Sequence, residues 1–197
     1  MVERLLALDA QLVLWLNGWV GRWPWVDRLA QYLASDYLVP VSLALLLLGM
    51  WFAPRDVASR ERHQKAVFRS LLGACGSSLV VLILNQYFYR LRPFHVHEVR
   101  LLFYPPTDSS FPSNAAAVGF GLALGILWTN RPLGGLALVL ASLWGLARVY
   151  AGVHYPLDVI GGAVVAVGVT GLVAWALHKA EPLPSLVLRA ARFLHLA

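Results

Sequence analysis

The sequence predicts an all-α, polytopic membrane helical bundle of five transmembrane helices, or six if its amphipathic N-terminal segment also crosses. Three observations carry this. Hydrophobic residues make up 59% of the 197 residues and charged ones 13%, with a mean hydropathy of +0.65, far from the makeup of a soluble domain. Apolar runs of spanning length recur between short polar turns. Basic residues gather between positions 55 and 69 and again from Lys179 onward, as the excess of positive charge on the cytoplasmic side of a membrane requires. Topology therefore accounts for the net charge of +6, and nucleic acid is not expected as a partner. No polar linker divides the chain, so residues 1–197 read as one integral-membrane domain. The single cysteine, Cys75, excludes an internal disulfide.

Residues 2–33 carry Leu, Val and Trp at roughly helical spacing but are interrupted by Asp9, Asn17, Arg22, Pro24, Asp27 and Arg28. Trp15, Trp19, Trp23 and Trp25 suit the headgroup boundary, so one or two helices lying in the interface are expected. The N-terminus lacks a basic start and a clean apolar core, which argues against a cleaved signal peptide. Asp36 can cap a first span over 36–52, ended by Ala53-Pro54-Arg55. Arg55, Arg60, Arg62, Lys65 and Arg69 follow as a charged cytoplasmic loop. A second span over 67–87 offers Gly73, Ala74, Gly76, Ser77 and Ser78 as a small-residue face.

The polar segment 90–113 is too long for a plain connection and reads as functional. A third span begins at Phe111-Pro112-Ser113-Asn114 and runs to Trp128, with Gly121 and Gly125 as a second small-residue face. Asn130-Arg131-Pro132 makes a tight turn into a fourth span over 133–150, and a fifth runs over 156–177. Residues 183–197 look like a short amphipathic helix. There is no internal repeat.

This topology puts Arg92, Ser113, Arg148, His154 and Asp158 on one side of the membrane, opposite the basic residues. Charges in so apolar a chain are costly unless paired, and such groups mark functional sites by default. The alternative for Arg148, His154 and Asp158 is an ion pair packing two helices. His154 and Asp158 are four apart with Pro156 suited to a first helical turn, so the carboxylate can sit under the imidazole as a base and its orienter. A guanidinium at Arg148 matches phosphate with two parallel hydrogen bonds. Ser113 stands at a helix start, where free N–H groups favour an anion, although a Pro-Ser start taken alone is an ordinary cap. Together these groups describe a site for phosphoryl transfer. His95, His97 and Glu98 read as a polar loop near the headgroups rather than as metal ligands.

Arg92-Pro93, Pro112-Ser113, and Arg148 followed by His154 and Asp158 resemble, in order and spacing, the three-part signature of the type 2 phosphatidic acid phosphatase superfamily. Arg90-Leu91-Arg92-Pro93-Phe94 and the stretch from Ala147 to Pro156 look most like its undecaprenyl pyrophosphate phosphatase branch. The resemblance implies that His154 is a nucleophile forming a phosphohistidine and that Asp158 orients it. It implies that Arg92 and Arg148 hold the phosphoryl oxygens, with Ser113 and the Asn114 N–H completing the cradle, and that no metal or other cofactor takes part. The implied activity is hydrolysis of undecaprenyl diphosphate to the monophosphate, at an outward-facing site in the bacterial inner membrane. Phosphatidylglycerol phosphate, phosphatidic acid or a lipid A phosphate are alternative substrates, and transfer to another lipid an alternative reaction.

Three positions depart from the family pattern. Asn85 replaces a lysine, for which Arg90 could substitute at the phosphate. Ala147 replaces a serine. Ala115 stands where the family has its general-acid histidine, and alanine has no proton to give. This last departure implies an impaired chain: either one silenced by deliberate substitution or a natural lipid-phosphate binder that does not cleave.

Overall fold

The computed structural model describes residues 2–54 and 56–193, and these fold entirely as helices and connections, with no strand. Arg55 and residues 194–197, which belong to the expected basic loop and terminal helix, lie outside the described residues.

Helix α1 (Val2–Asn17) buries Asp9, Val13 and Asn17, spaced by four, while Leu5, Leu8, Leu12 and Trp15 face outward. The amphipathic pattern therefore points its polar stripe into the protein and its apolar stripe toward the surroundings. Buried polar groups need partners, and these have them. Asp9 accepts from Arg90 at 2.7 Å and from the Leu157 N–H at 2.9 Å. The Asn17 amide donates to the carbonyls of Tyr150 and Arg100, both at 2.9 Å, and accepts from the Arg100 N–H at 2.7 Å.

Helices α2 (Pro24–Ala34) and α3 (Leu38–Phe52) meet at a 53° bend. Ser35 occupies the break, and its hydroxyl accepts from the Leu38 N–H at 3.3 Å. Asp36, expected as the cap, instead turns its carboxylate to Arg148 and Tyr104.

Helix α4 (Val57–Tyr87) begins at Val57 rather than near 67, so Arg60, Arg62, Lys65 and Arg69 lie on its first turns and not in a loop. The reason is local: Asp56 caps the helix by accepting from the Ser59 N–H at 2.8 Å, and Glu61 pairs with Lys65 one turn on at 3.3 Å. Lys65 also reaches Glu181 at 2.6 Å, which ties the basic end of α4 to the segment before α9 (Leu183–Phe193).

Among the described residues, three helices are long and apolar enough to cross a membrane: α4, α7 (Arg131–Tyr150) and α8 (Pro156–Lys179); α2 and α3 make a fourth if the bent pair is one span. Five were expected. The shortfall lies in α3, which reaches spanning length only together with α2, and in α6 (Asn114–Leu127), whose 14 residues extend about 21 Å at 1.5 Å per residue against a hydrocarbon core of about 30 Å. Yet α6 is the centre of the bundle, packed against α4, α7 and α8 at once. Its glycines permit this. Gly121 abuts the backbone of Gly73 and Ala74, and Gly125 abuts Ser70. The short helix starts where α4 ends, α7 ends and α8 begins, and the one-turn α5 (Pro93–Val96) lies at that same end.

Candidate active site

Helix α7 ends at Tyr150, and Gly152, at a φ of 77°, reverses the chain in a conformation that suits glycine. His154 follows in this connection, and α8 starts at Pro156. His154 therefore precedes the helix rather than sharing a helical face with Asp158. Its Nδ1 lies 3.6 Å from Asp158 Oδ2 but 3.1 Å from the Ser110 carbonyl, which takes the hydrogen bond. On the other side of the ring, Nε2 lies 3.2 Å from Arg92 Nη1 and 3.3 Å from Ser113 Oγ. A guanidinium can only donate, so Nε2 presents its lone pair and Nδ1 carries the proton. Burial disfavours the imidazolium and pulls the pKa of His154 below its usual value, against the opposing pull of Asp158.

Asp158 is fully buried and its carboxylate accepts three hydrogen bonds. Its Oδ2 takes the Ser110 hydroxyl at 2.5 Å and the Tyr155 N–H at 2.8 Å; its Oδ1 takes Arg90 at 2.7 Å. It fixes the start of α8 and the 109–113 loop, and through Ser110 the ring of His154. Arg90, expected as a stand-in phosphate ligand, is committed elsewhere. One Nη bonds Asp158, the other bonds Asp9, and the guanidinium stacks 3.8 Å from the Tyr155 ring centroid. It does not line the cavity beside His154.

That cavity encloses about 220 Å³ and is walled by Arg92, Arg148 and His154, by Asn114, Ala115 and Trp144, and by Asp36, Tyr104 and Asp108 from outside the motifs. Arg92 and Arg148 are buried, at 3% and 6% exposure. Arg92 donates to Asp108 at 2.7 Å and to the Val153 carbonyl at 2.8 Å; Arg148 donates to Asp36 and packs over the rings of Phe103 and Trp144. The two carboxylates are themselves 58% and 44% exposed, so they can swing away from guanidinium groups that cannot. Arg148 Nε, Trp144 Nε1 and Asn114 Oδ1 are buried without a hydrogen-bond partner. Two of these are donors on one helix face, aligned with an anion's needs.

Ser113 caps α6 by accepting from the Ala116 N–H at 3.4 Å while its hydroxyl faces His154, so cap and site share one side chain. Sequence reasoning missed Asp36, Asp108, Tyr104, Ser110 and Trp144. Only Trp144 left a signal, standing one helical turn before Arg148. His95 and His97 lie on α5 and its C-cap, away from the cavity wall, with His97 packed edge-on to Tyr155 at 6.1 Å.

Comparison with known proteins matches residues 66–182 to the model of the PAP2 superfamily. Undecaprenyl-diphosphatase BcrC of Bacillus subtilis is 31% identical over 133 residues, 68% of this chain and 66% of its own length. Putative undecaprenyl-diphosphatase YbjG of Escherichia coli is 30% identical over 156 residues, 79% of this chain and 75% of its own. Among solved structures, Aquifex aeolicus LpxE superposes with a TM-score of 0.66 at 27% identity, covering 85% of this chain and 94% of that one.

Proposed function

Because this chain belongs to the PAP2 superfamily of membrane phosphatases, we propose that it removes the terminal phosphate of a polyprenyl diphosphate, foremost undecaprenyl diphosphate. The carrying observation is the convergence of two buried guanidinium groups and the lone pair of His154 Nε2 on one cavity. Substrate oxygens replace Asp36 and Asp108 on the arginines, with Trp144 Nε1 and Arg148 Nε as further donors. Nε2 attacks the terminal phosphorus, giving a phosphohistidine that water hydrolyses. The basic ends of α4 and α8 lie opposite this cavity, so the site opens to the outer face of a bacterial inner membrane. Phosphatidylglycerol phosphate, phosphatidic acid and lipid A phosphate are the competing substrates that the motif resemblance implies.

The rival reading is a lipid-phosphate binder without turnover, favoured by Ala115. Phosphate release from undecaprenyl diphosphate by the detergent-solubilised chain separates the two. Release that His154→Ala abolishes supports the enzyme; saturable binding with no release supports the binder.

A further inference from the structure

Departure of any leaving group from phosphorus requires that its oxygen take a proton or tolerate the charge. Within the cavity no described side chain is poised to give that proton. Ala115 contributes only a methyl group to the wall. Asp36 and Asp108 face Arg148 and Arg92 until substrate oxygens displace them, and an ionised carboxylate, paired or displaced, only accepts. The Tyr104 hydroxyl already donates to Asp36 at 2.8 Å, and that bond pushes its pKa up, so its proton is held more firmly than in free tyrosine. His154 carries its one proton on Nδ1, turned away toward Ser110. Cationic donors are abundant; proton donors are not.

We infer that this chain is an active enzyme restricted to phosphoanhydrides: it cleaves lipid diphosphates and leaves alkyl phosphate monoesters intact. The inference rests on the phosphatase reading above and narrows its substrate class. The chemistry distinguishes the two leaving groups sharply. A lipid monophosphate leaves as an anion whose conjugate acid ionises near ~6, whereas an alkoxide is comparable in basicity to hydroxide and is a far poorer leaving group. The first needs charge stabilisation, which Arg92 and Arg148 provide over several oxygens. The second needs a proton.

The steps balance without a general acid. The Nε2 lone pair forms an N–P bond to the terminal phosphorus, and the bridging P–O bond breaks with its electron pair on the departing lipid monophosphate. Water then forms an O–P bond as the N–P bond breaks and its pair returns to Nε2. One proton of the water stays on the released hydrogenphosphate and the other passes to solvent. Ala115 is on this account a specificity determinant rather than a lesion.

The test measures kcat/KM of the native chain and of Ala115→His on undecaprenyl diphosphate, phosphatidic acid and p-nitrophenyl phosphate, the last a monoester whose nitrophenolate leaves without help. The native chain should turn over the diphosphate and the aryl ester, with phosphatidic acid slower by about 10²–10⁴, the usual worth of a general acid. Ala115→His should recover that factor on phosphatidic acid and change the diphosphate by less than about tenfold. The native arm stands even where the variant fails to fold. Native cleavage of phosphatidic acid at the diphosphate rate, or equal gains on both lipids, overturns the inference and leaves the phosphatase reading intact. So does a native chain silent on the diphosphate that Ala115→His awakens. Silence of both chains on every substrate overturns the phosphatase reading and the inference with it.

Discussion

Replacing Arg90 with glutamine separates a positioning residue from a phosphate ligand. Arg90 is the guanidinium that pairs with both Asp9 and Asp158, two carboxylates whose side chains are 1% and 0% exposed. Removing one partner of a buried pair costs about 3–5 kcal/mol, and the 23% exposure of the Arg90 side chain argues for about 3 kcal/mol, the lower end. For a chain of this size that corresponds to a fall in Tm of roughly 6–12 °C, measurable by thermal denaturation in detergent. Activity should fall through kcat, because a loosened Asp158 releases Ser110 and the His154 ring it holds. Asp9→Asn added to Arg90→Gln should cost less than it does alone, since the two residues share one interaction. An unchanged Tm with a raised KM would refute this reasoning and return Arg90 to the phosphate.

Trp144→Phe removes an indole donor but little volume; one lost hydrogen bond of about 1–1.5 kcal/mol should raise KM for a lipid diphosphate several-fold with Tm nearly unchanged, as read by steady-state phosphate release. The pH profile follows from the lowered pKa of His154: the nucleophile must be neutral, so kcat/KM rises with pH through a value below the ordinary ~6.5 and is flat above it. Asp158 favours the imidazolium, so Asp158→Asn should move that acid limb lower still; an acid limb at or above the ordinary imidazole value refutes the assignment. Gly125→Ala drives a methyl group into the Ser70 backbone and should destabilise the bundle by about 1–3 kcal/mol, seen as a lower Tm, whereas Gly135→Ala, where a Cβ meets nothing, should leave it unchanged.

What could be read from the chain was whatever is local or ordered by the spans. Motif order and alternating helix direction were enough to expect Arg92, Ser113, Arg148 and His154 at one end of the bundle; Arg92, Arg148 and His154 line one cavity, and Ser113 lies against His154 behind it. The small residues of α6 gave its close packing. Long-range partners were not legible. Asp36 lies just before a helix, which is where a capping carboxylate would also lie, and only the 53° bend between α2 and α3 turns it to Arg148 across the cavity. Asp9 and Asn17 looked like interruptions of an interfacial helix because amphipathicity defines a polar face without saying what that face meets. Arg90 has the charge of a phosphate ligand, and nothing local reveals that two buried carboxylates already hold it.

The central claim is that the His154 Nε2 lone pair receives the phosphoryl group. It is tested most directly by rapid chemical quench of the chain with undecaprenyl diphosphate radiolabelled in its terminal phosphate, followed by peptide mapping. The account predicts a transient acid-labile, alkali-stable label on the peptide carrying His154, absent from His154→Ala, which releases no phosphate. Release of phosphate at an undiminished rate by His154→Ala would contradict it.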